Sequence, residues 1–414
     1  MEDPVKRTLL LILCFVAIAL TATKVKILAQ SAGKPPLKGY SIVIPWKGGT
    51  ADDAIAASSK ATTIPLSSFT FTASKDGQTY TDVIVGKSPF QPPYGSTKVK
   101  VLVVPMIIDI GAYVFDSTAP NHCGGSMGNS DLANFLNSPI FTPVSFDGGT
   151  SPGHAALING VKVGGKLTYN DAHRRAEFLN AIGGPSSHYH TDYTVTVTPT
   201  QTIDINTTAG HSAIVYNNGP TLNDCSLLGG LDILFFDNYF ATTVLNAVHG
   251  DPTSFVIFLM HDVVFYEAAS YNCCILGYHG TLANLQTYSP TDYDTTGDFG
   301  PGIVNVSVAA HEIGEWRDDP LGNNPTPLWG GIGQQPGCQN NWEVGDPLTG
   351  TDFPSITMPN GVTYNPQETV FWSWFYSADH DPYFQNIEAG GKYSMNGTFG
   401  GPSEVCPPGG TFPN

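Results

Sequence analysis

VSVAAHEIGEWRDDP, residues 306–320, places His311, Glu312 and Glu315 on one turn of an expected helix. His311 and Glu315 are four apart and project from one helical face, with Glu312 beside them. In the H-E-x-x-H pattern the two outer residues hold a metal ion and the inner Glu takes a proton from water. Here the second His is replaced by Glu315, which remains an acceptable ligand but adds negative charge, so Ca²⁺ stands as an alternative to Zn²⁺, or no ion at all. A solvated polar face is the plain reading of five letters alone. The nearly apolar run Ile303–Ala310 argues against it and predicts a buried helix near 303–318. His311, Glu312, Glu315, Arg317, Asp318 and Asp319 then crowd together in a charge-poor chain. A cation keeps such carboxylates close without forcing protonation. Pro320 stops the helix by pushing Asp319 out of helical geometry.

A third ligand must come from outside the helix. The segment Asn341–Pro347 offers Glu343 and Asp346, with Glu343 preferred and Asp319 as its rival. In thermolysin-type zinc peptidases a downstream Glu completes the site and a following Asp holds a metal-bound His by its other ring nitrogen. The order of elements here is Cys273-Cys274-Ile-Leu-Gly-Tyr-His279-Gly, a Gly-rich approach at 297–302, AAHEIGEW, Asp319-Pro320, Trp329, then Glu343-Val-Gly-Asp346. This order resembles secreted bacterial HExxE proteins of unassigned function. More distantly it is similar to the plant exordium or phosphate-induced family, from which the Cys pair and Trp316 depart. The resemblance covers roughly residues 250–350 and implies a zincin-like metallopeptidase fold in an extracellular or cell-wall setting. His279, in the shared element, is then a candidate to orient substrate or stabilise a developing oxyanion, with a structural hydrogen bond to a loop carbonyl as the equal alternative.

Lys6 and Arg7 precede an apolar run at Leu9–Ala22, which reads as a signal peptide within residues 1–31 rather than a retained span. Cys14 leaves with it. Cys123, Cys225, Cys273, Cys274, Cys338 and Cys406 remain, an even number suited to as many as three disulfides in an oxidising compartment. Cys273 and Cys274, being adjacent, are expected to pair with different partners. The formal charge is -17, and removing residues 1–31, with four basic and two acidic side chains, leaves -19. Nucleic acid and anionic membrane surfaces are therefore poor partners.

Along the rest of the chain, residues 32–95 read as a β-rich N-terminal segment, and 96–414 as one domain with long loops. Val99–Asp109 suits a central strand, Ser130–Leu136 and Asn170–Ile182 suit helices, and Tyr193–Ile205 suits one β segment or two. Leu231–Val248 reads as an amphipathic helix followed by the apolar run Phe255–Phe265. His188 and His190 could share a strand face, but read more simply as a loop pair; His261 reads as a satisfied core residue. Trp316, Trp329, Trp342, Trp372 and Trp374 form either a core or a stacking platform.

The expected fold class is α+β, a mixed sheet with a buried metal-motif helix in a zincin-like core. The expected activity is hydrolysis of peptide or protein substrates, including cell-wall material. His311, Glu315 and Glu343 hold zinc and Glu312 is the general base. The alternatives are a non-catalytic wall- or glycan-binding protein, and a metal-free hydrolase using Glu312 and Glu343.

Overall fold

The computed structural model describes residues 26–29, 37–123, 128–205, 213–217, 224–267, 273–330, 338–351, 353–378, 381–397, 399 and 406. The leader reading and Cys14 lie outside these, except that Lys26–Ala29 forms an edge strand.

The fold is mixed α+β and is dominated by a twelve-stranded sheet. Its strands in chain order are β1 (Lys26–Ala29), β2 (Tyr40–Ile44), β3 (Ser96–Ile110), β4 (Tyr113–Asp116), β5 (His190–Val197) and β6 (Gln201–Asp204). They continue with β7 (Ala213–Asn217), β8 (Leu227–Asp232), β9 (Ser254–His261), β10 (Val263–Tyr266), β11 (Cys273–Thr281) and β12 (Thr287–Tyr293). The spatial order is β1-β7-β8-β10-β11-β12-β9-β3-β5, with β2 on β11 and both β4 and β6 on β3. β9 pairs in parallel with β3 on one side and β12 on the other, whereas β11 runs antiparallel to β12 and β10.

Alternate residues of β9 serve two cores, which explains its unbroken apolar run. Phe255, Ile257 and Leu259 face one layer with Ala309, Ala310, Ile313 and Trp316. Val256, Phe258 and Met260 face the other with Phe236, Phe240 and Val244. The second layer is the helical run that starts at Ile233, after β8, and continues to Ala247. The run 255–265 accordingly breaks into two strands, β9 and β10. The helix expected from Asn170 spans Tyr169–Glu177 (α1) with Thr168 as its N-cap, and the segment 193–205 is the pair β5 and β6. A helix at Ala51–Ser59, opened by a Thr50–Asp53 capping box, was not anticipated.

One reading is corrected, and of the two open for the late tryptophans the core one holds. Cys273 and Cys274 pair with each other, beside Cys123–Cys225 and Cys338–Cys406. The five late tryptophans are each less than 2% exposed, so they are core and offer no open stacking platform. Trp316 stacks on Phe255 with centroids 3.8 Å apart. His190 bonds Asp171 at 2.8 Å and His261 bonds Asp131 at 2.6 Å, so both are satisfied by carboxylates.

Asp262, Asp292 and Asp294 are buried together where β9 and β12 end. Asp292 Oδ1 accepts from the Val263 amide at 3.0 Å, while Oδ2 has no partner. Burial, then Asp294 and Asp262, pushes its carboxyl well above the usual range. The folded state therefore holds a proton that the unfolded chain releases above about pH 4, and stability falls as pH rises from there. Asp292→Asn keeps the Oδ1 acceptor and does not titrate. Its urea midpoint is expected to exceed that of the wild type at pH 8, with the gap narrowing at pH 5. A wild-type advantage at pH 8 would refute this account.

Candidate metal centre

The motif helix, α2, spans Ser307–Asp318, and all twelve of its residues are buried against β11, β12 and α1. β11 permits the close approach because Gly277 faces the helix. A Cβ there would lie 2.7 Å from Val308 Cγ1 and 3.0 Å from Glu312 Oε1. His279, two residues on and so on the same face, reaches between two helix carboxylates. Its Nδ1 is 3.7 Å from Glu312 Oε2 and 3.7 Å from Glu315 Oε2, while Nε2 donates to the Asp319 carbonyl at 3.1 Å.

His311 is oriented from the opposite side. Gln367 donates through Nε2 to the Gly345 carbonyl at 2.6 Å, which turns its Oε1 toward His311 Nδ1 at 3.0 Å. The other ring nitrogen, Nε2, then faces Glu315 Oε1 at 2.9 Å and Asp346 Oδ1 at 3.3 Å. Glu315 Oε1 accepts the backbone amides of Gly345 and Asp346 at 3.1 and 3.2 Å. Gln339 holds Asp346 Oδ2 at 2.7 Å, Asn341 holds Glu343 Oε1 at 2.7 Å, and Ser41 of β2 donates to Glu312 Oε1 at 2.5 Å.

The electrostatics follow from packing acids around two imidazoles. Burial and then Glu315 push Asp346 up to about 7, and burial raises Glu312 and Glu343. Glu315 is held at about 2, against the effect of its burial, by His311 and His279. Both imidazoles are raised well above their usual range, again against burial, by Glu343 beside His279 and Glu315 beside His311.

Five buried atoms here make no hydrogen bond of normal geometry, although His311 Nε2 lies within ion-pair distance of Glu315 Oε1 and Asp346 Oδ1: His279 Nδ1, His311 Nε2, Glu312 Oε2, Glu343 Oε2 and Asp346 Oδ1. Buried polar atoms are rarely left so. Ligands about 2.1 Å from a tetrahedral ion lie about 3.4 Å from one another. The separations of 2.9, 3.3 and 3.7 Å bracket that value. Two sets of potential ligand atoms each fall within 4.8 Å of one another: His311, Glu315 and Asp346, and His279, Glu312 and Glu315. The donors fit a divalent cation.

No family model, curated protein or solved structure matches the chain. The functional reading therefore rests on the site itself.

Of the residues anticipated, His311, Glu312, Glu315 and His279 are brought together. Glu343 stands at the edge, with Oε2 3.9 Å from His279 Nε2. Asp319 belongs to neither set, because its carboxylate caps the turn by accepting the Asn323 and Asn324 amides at 3.0 and 2.9 Å. Asp346, expected to orient a ligand, instead faces His311 Nε2, and Gln367 orients the ring from Nδ1. Neither Gln367 nor Ser41 carries a local motif.

A cleft of about 570 Å³ opens beside the centre, lined by Tyr40, Ile42, Val43, Asn323, Gln339 and Asp346 among others. No Lys, Arg or His is among its lining residues.

A third set, His173, Glu177 and Asp318, lies behind the helix. Arg174 and Arg317 already pair with Asp318 there, at 2.5 and 2.8 Å, so two guanidiniums supply the cationic charge.

Gly345 gives a test of the geometry. An added Cβ would sit 2.5 Å from both Cγ and Nδ1 of His311, at a φ of -86° that alanine adopts freely. Gly345→Ala is expected to displace the ring and weaken metal binding by about 10–100-fold, as loss of an orienting contact does. Competition against a chromogenic chelator reads this directly, and an affinity within two-fold of the wild type would refute it.

Proposed function

We propose that this chain is a secreted metal-dependent peptidase built on a zincin-like core, in which a buried motif helix lies beneath a mixed sheet. The observation that carries the reading is the set of five unpartnered, buried ligand atoms beside an open cleft. His311, Glu315 and Asp346 would hold the ion, with Glu343 nearby. The imidazole in this set favours zinc or a similar borderline ion over Ca²⁺, which takes oxygen ligands. A bound ion would supply Lewis acidity and a water of lowered pKa.

The chain's own groups do the rest. Ser41 fixes Glu312 through Oε1 and leaves Oε2 free to take a proton and return it to a leaving amine. β2 supplies Tyr40, Ile42 and Val43 to the cleft wall, where an extended segment of substrate would lie. The absence of cationic side chains from that wall disfavours acidic substrates. A metal-free pair of Glu312 and Glu343 would leave both imidazoles without a task. Export is supported by the apolar run after Lys6 and Arg7 and by three disulfides. Among the described residues no helix is long and apolar enough to cross a membrane.

The test is elemental mass spectrometry on purified protein beside His311→Ala, with digestion of a mixed peptide library by both. Bound zinc that falls in the variant, together with chelator-sensitive cleavage, is the expected result. Calcium alone, or no metal in either sample, would overturn the reading.

A further inference from the structure

Glu315 presents its two oxygens to two different histidines. Oε1 faces His311 Nε2 at 2.9 Å, and Oε2 faces His279 Nδ1 at 3.7 Å. Asp346 Oδ1 completes the first set, and Glu312 Oε2, also 3.7 Å from His279 Nδ1, completes the second. Glu315 is the one residue common to both.

Three observations separate the second set from a mere acidic cluster. First, His279 Nδ1 and Glu312 Oε2 are fully buried and lack any hydrogen-bond partner. Second, Nε2 donates to the Asp319 carbonyl, so Nδ1 is the ring atom turned toward the two carboxylate oxygens, and it offers them either a proton or, in the neutral ring, a lone pair for an ion shared with them. Lone pairs converging in this way repel unless a cation stands among them. Third, Glu312, Glu315, Glu343, Asp346 and the adjoining Asp319 carry five formal negative charges in one buried region. One divalent ion leaves three of them uncompensated, whereas two ions leave one.

We propose that the centre is dinuclear, with Glu315 bridging one ion held by His311 and Asp346 and a second held by His279 and Glu312. The inference rests on the metal-binding reading above and adds a second seat to it. The ligand set, one imidazole and carboxylates for each seat, suits a pair of zinc, manganese or cobalt ions. With the second seat filled, Glu312 is engaged through Oε2. Glu343 Oε2 is then the remaining unpartnered carboxylate oxygen and takes over as proton acceptor.

The experiment begins with full-length protein stripped by chelator dialysis. It is reloaded with Zn²⁺ for elemental counting after desalting, and separately with Mn²⁺ for electron paramagnetic resonance. Two zinc ions per chain and an exchange-coupled manganese signal are expected in the wild type. His279→Gln is expected to bind one zinc and give an uncoupled manganese signal. One ion per chain in the wild type, unchanged by His279→Gln and with no coupling, would overturn the dinuclear proposal and leave the single-ion peptidase standing. No bound ion at all would overturn both. If His279→Gln does not fold, the wild-type count and the coupling decide the question alone.

Discussion

Arg174→Ala is expected to destabilise the fold by about 3–5 kcal/mol, the usual result of removing one partner from a buried ion pair. Arg174 is fully buried on α1 and reaches the C-terminal end of the motif helix. Its Nε and Nη2 approach Asp318 Oδ1 at 2.8 and 2.5 Å, Nη2 donates to the Arg317 carbonyl at 2.6 Å, and Nη1 donates to the Val85 carbonyl and Tyr189 Oη at 3.3 Å each. One side chain thus ties α1, the motif helix and the strand ending at Val85 into a single unit. Alanine would leave Asp318 with Arg317 as its one remaining guanidinium partner, leave a void of side-chain size and free the Arg317 carbonyl. Arg174→Lys should recover little, since an ammonium cannot reproduce the planar fork. Urea denaturation of the three proteins provides the measurement. A loss below about 1 kcal/mol in the alanine variant would mean that Arg317 alone neutralises Asp318.

That network also marks where reading the chain from its letters runs out. The motif helix was legible because its evidence is local: an apolar approach, an i,i+4 ligand pair and a Pro stop within fifteen residues. β3 and β9 were legible for a similar reason, since strands buried on both faces leave unbroken apolar runs. The need for partners to the charges on a buried helix was legible too, but not their identity. His173 and Arg174 stand 144 residues from Arg317 and Asp318, and only the docking of α1 on α2 brings them there.

The same limit applies around the candidate metal centre. Glu343 and Asp346 were visible together, but which of them faces His311 depends on the path of the loop after Cys338–Asn341, where Glu315 accepts two loop amides. Gln367 is 56 residues from the ring it orients. Asp319 looked like a ligand by its position after the helix, yet its carboxylate serves the turn that leads to Asn324. Adjacent cysteines were assigned to separate partners from the general habit of disulfides, and the chain instead closes the pair on itself.

On the proposed peptidase reading, Glu312→Gln is expected to lower peptide turnover by about 10²–10⁴-fold, the range spanned by loss of a general base. The substitution preserves shape and keeps an amide oxygen to accept from Ser41, so the fold and the seat formed by His311, Glu315 and Asp346 should persist. Activity and metal content are therefore read on the same sample. Turnover lost with one zinc per chain retained is the expected result. The wild-type count then assigns the cause. If the wild type also holds one ion, the loss belongs to the proton acceptor itself; if it holds two, Glu312 acts by completing the second seat. Glu343→Gln is the companion measurement, because Glu343 Oε2 is the other unpartnered carboxylate oxygen beside His279. In a single-ion enzyme that variant should retain most of its turnover, whereas in a dinuclear one it should lose as much as Glu312→Gln. Turnover by Glu312→Gln within ten-fold of the wild type would remove Glu312 from either role and return the carboxylates to a purely structural account.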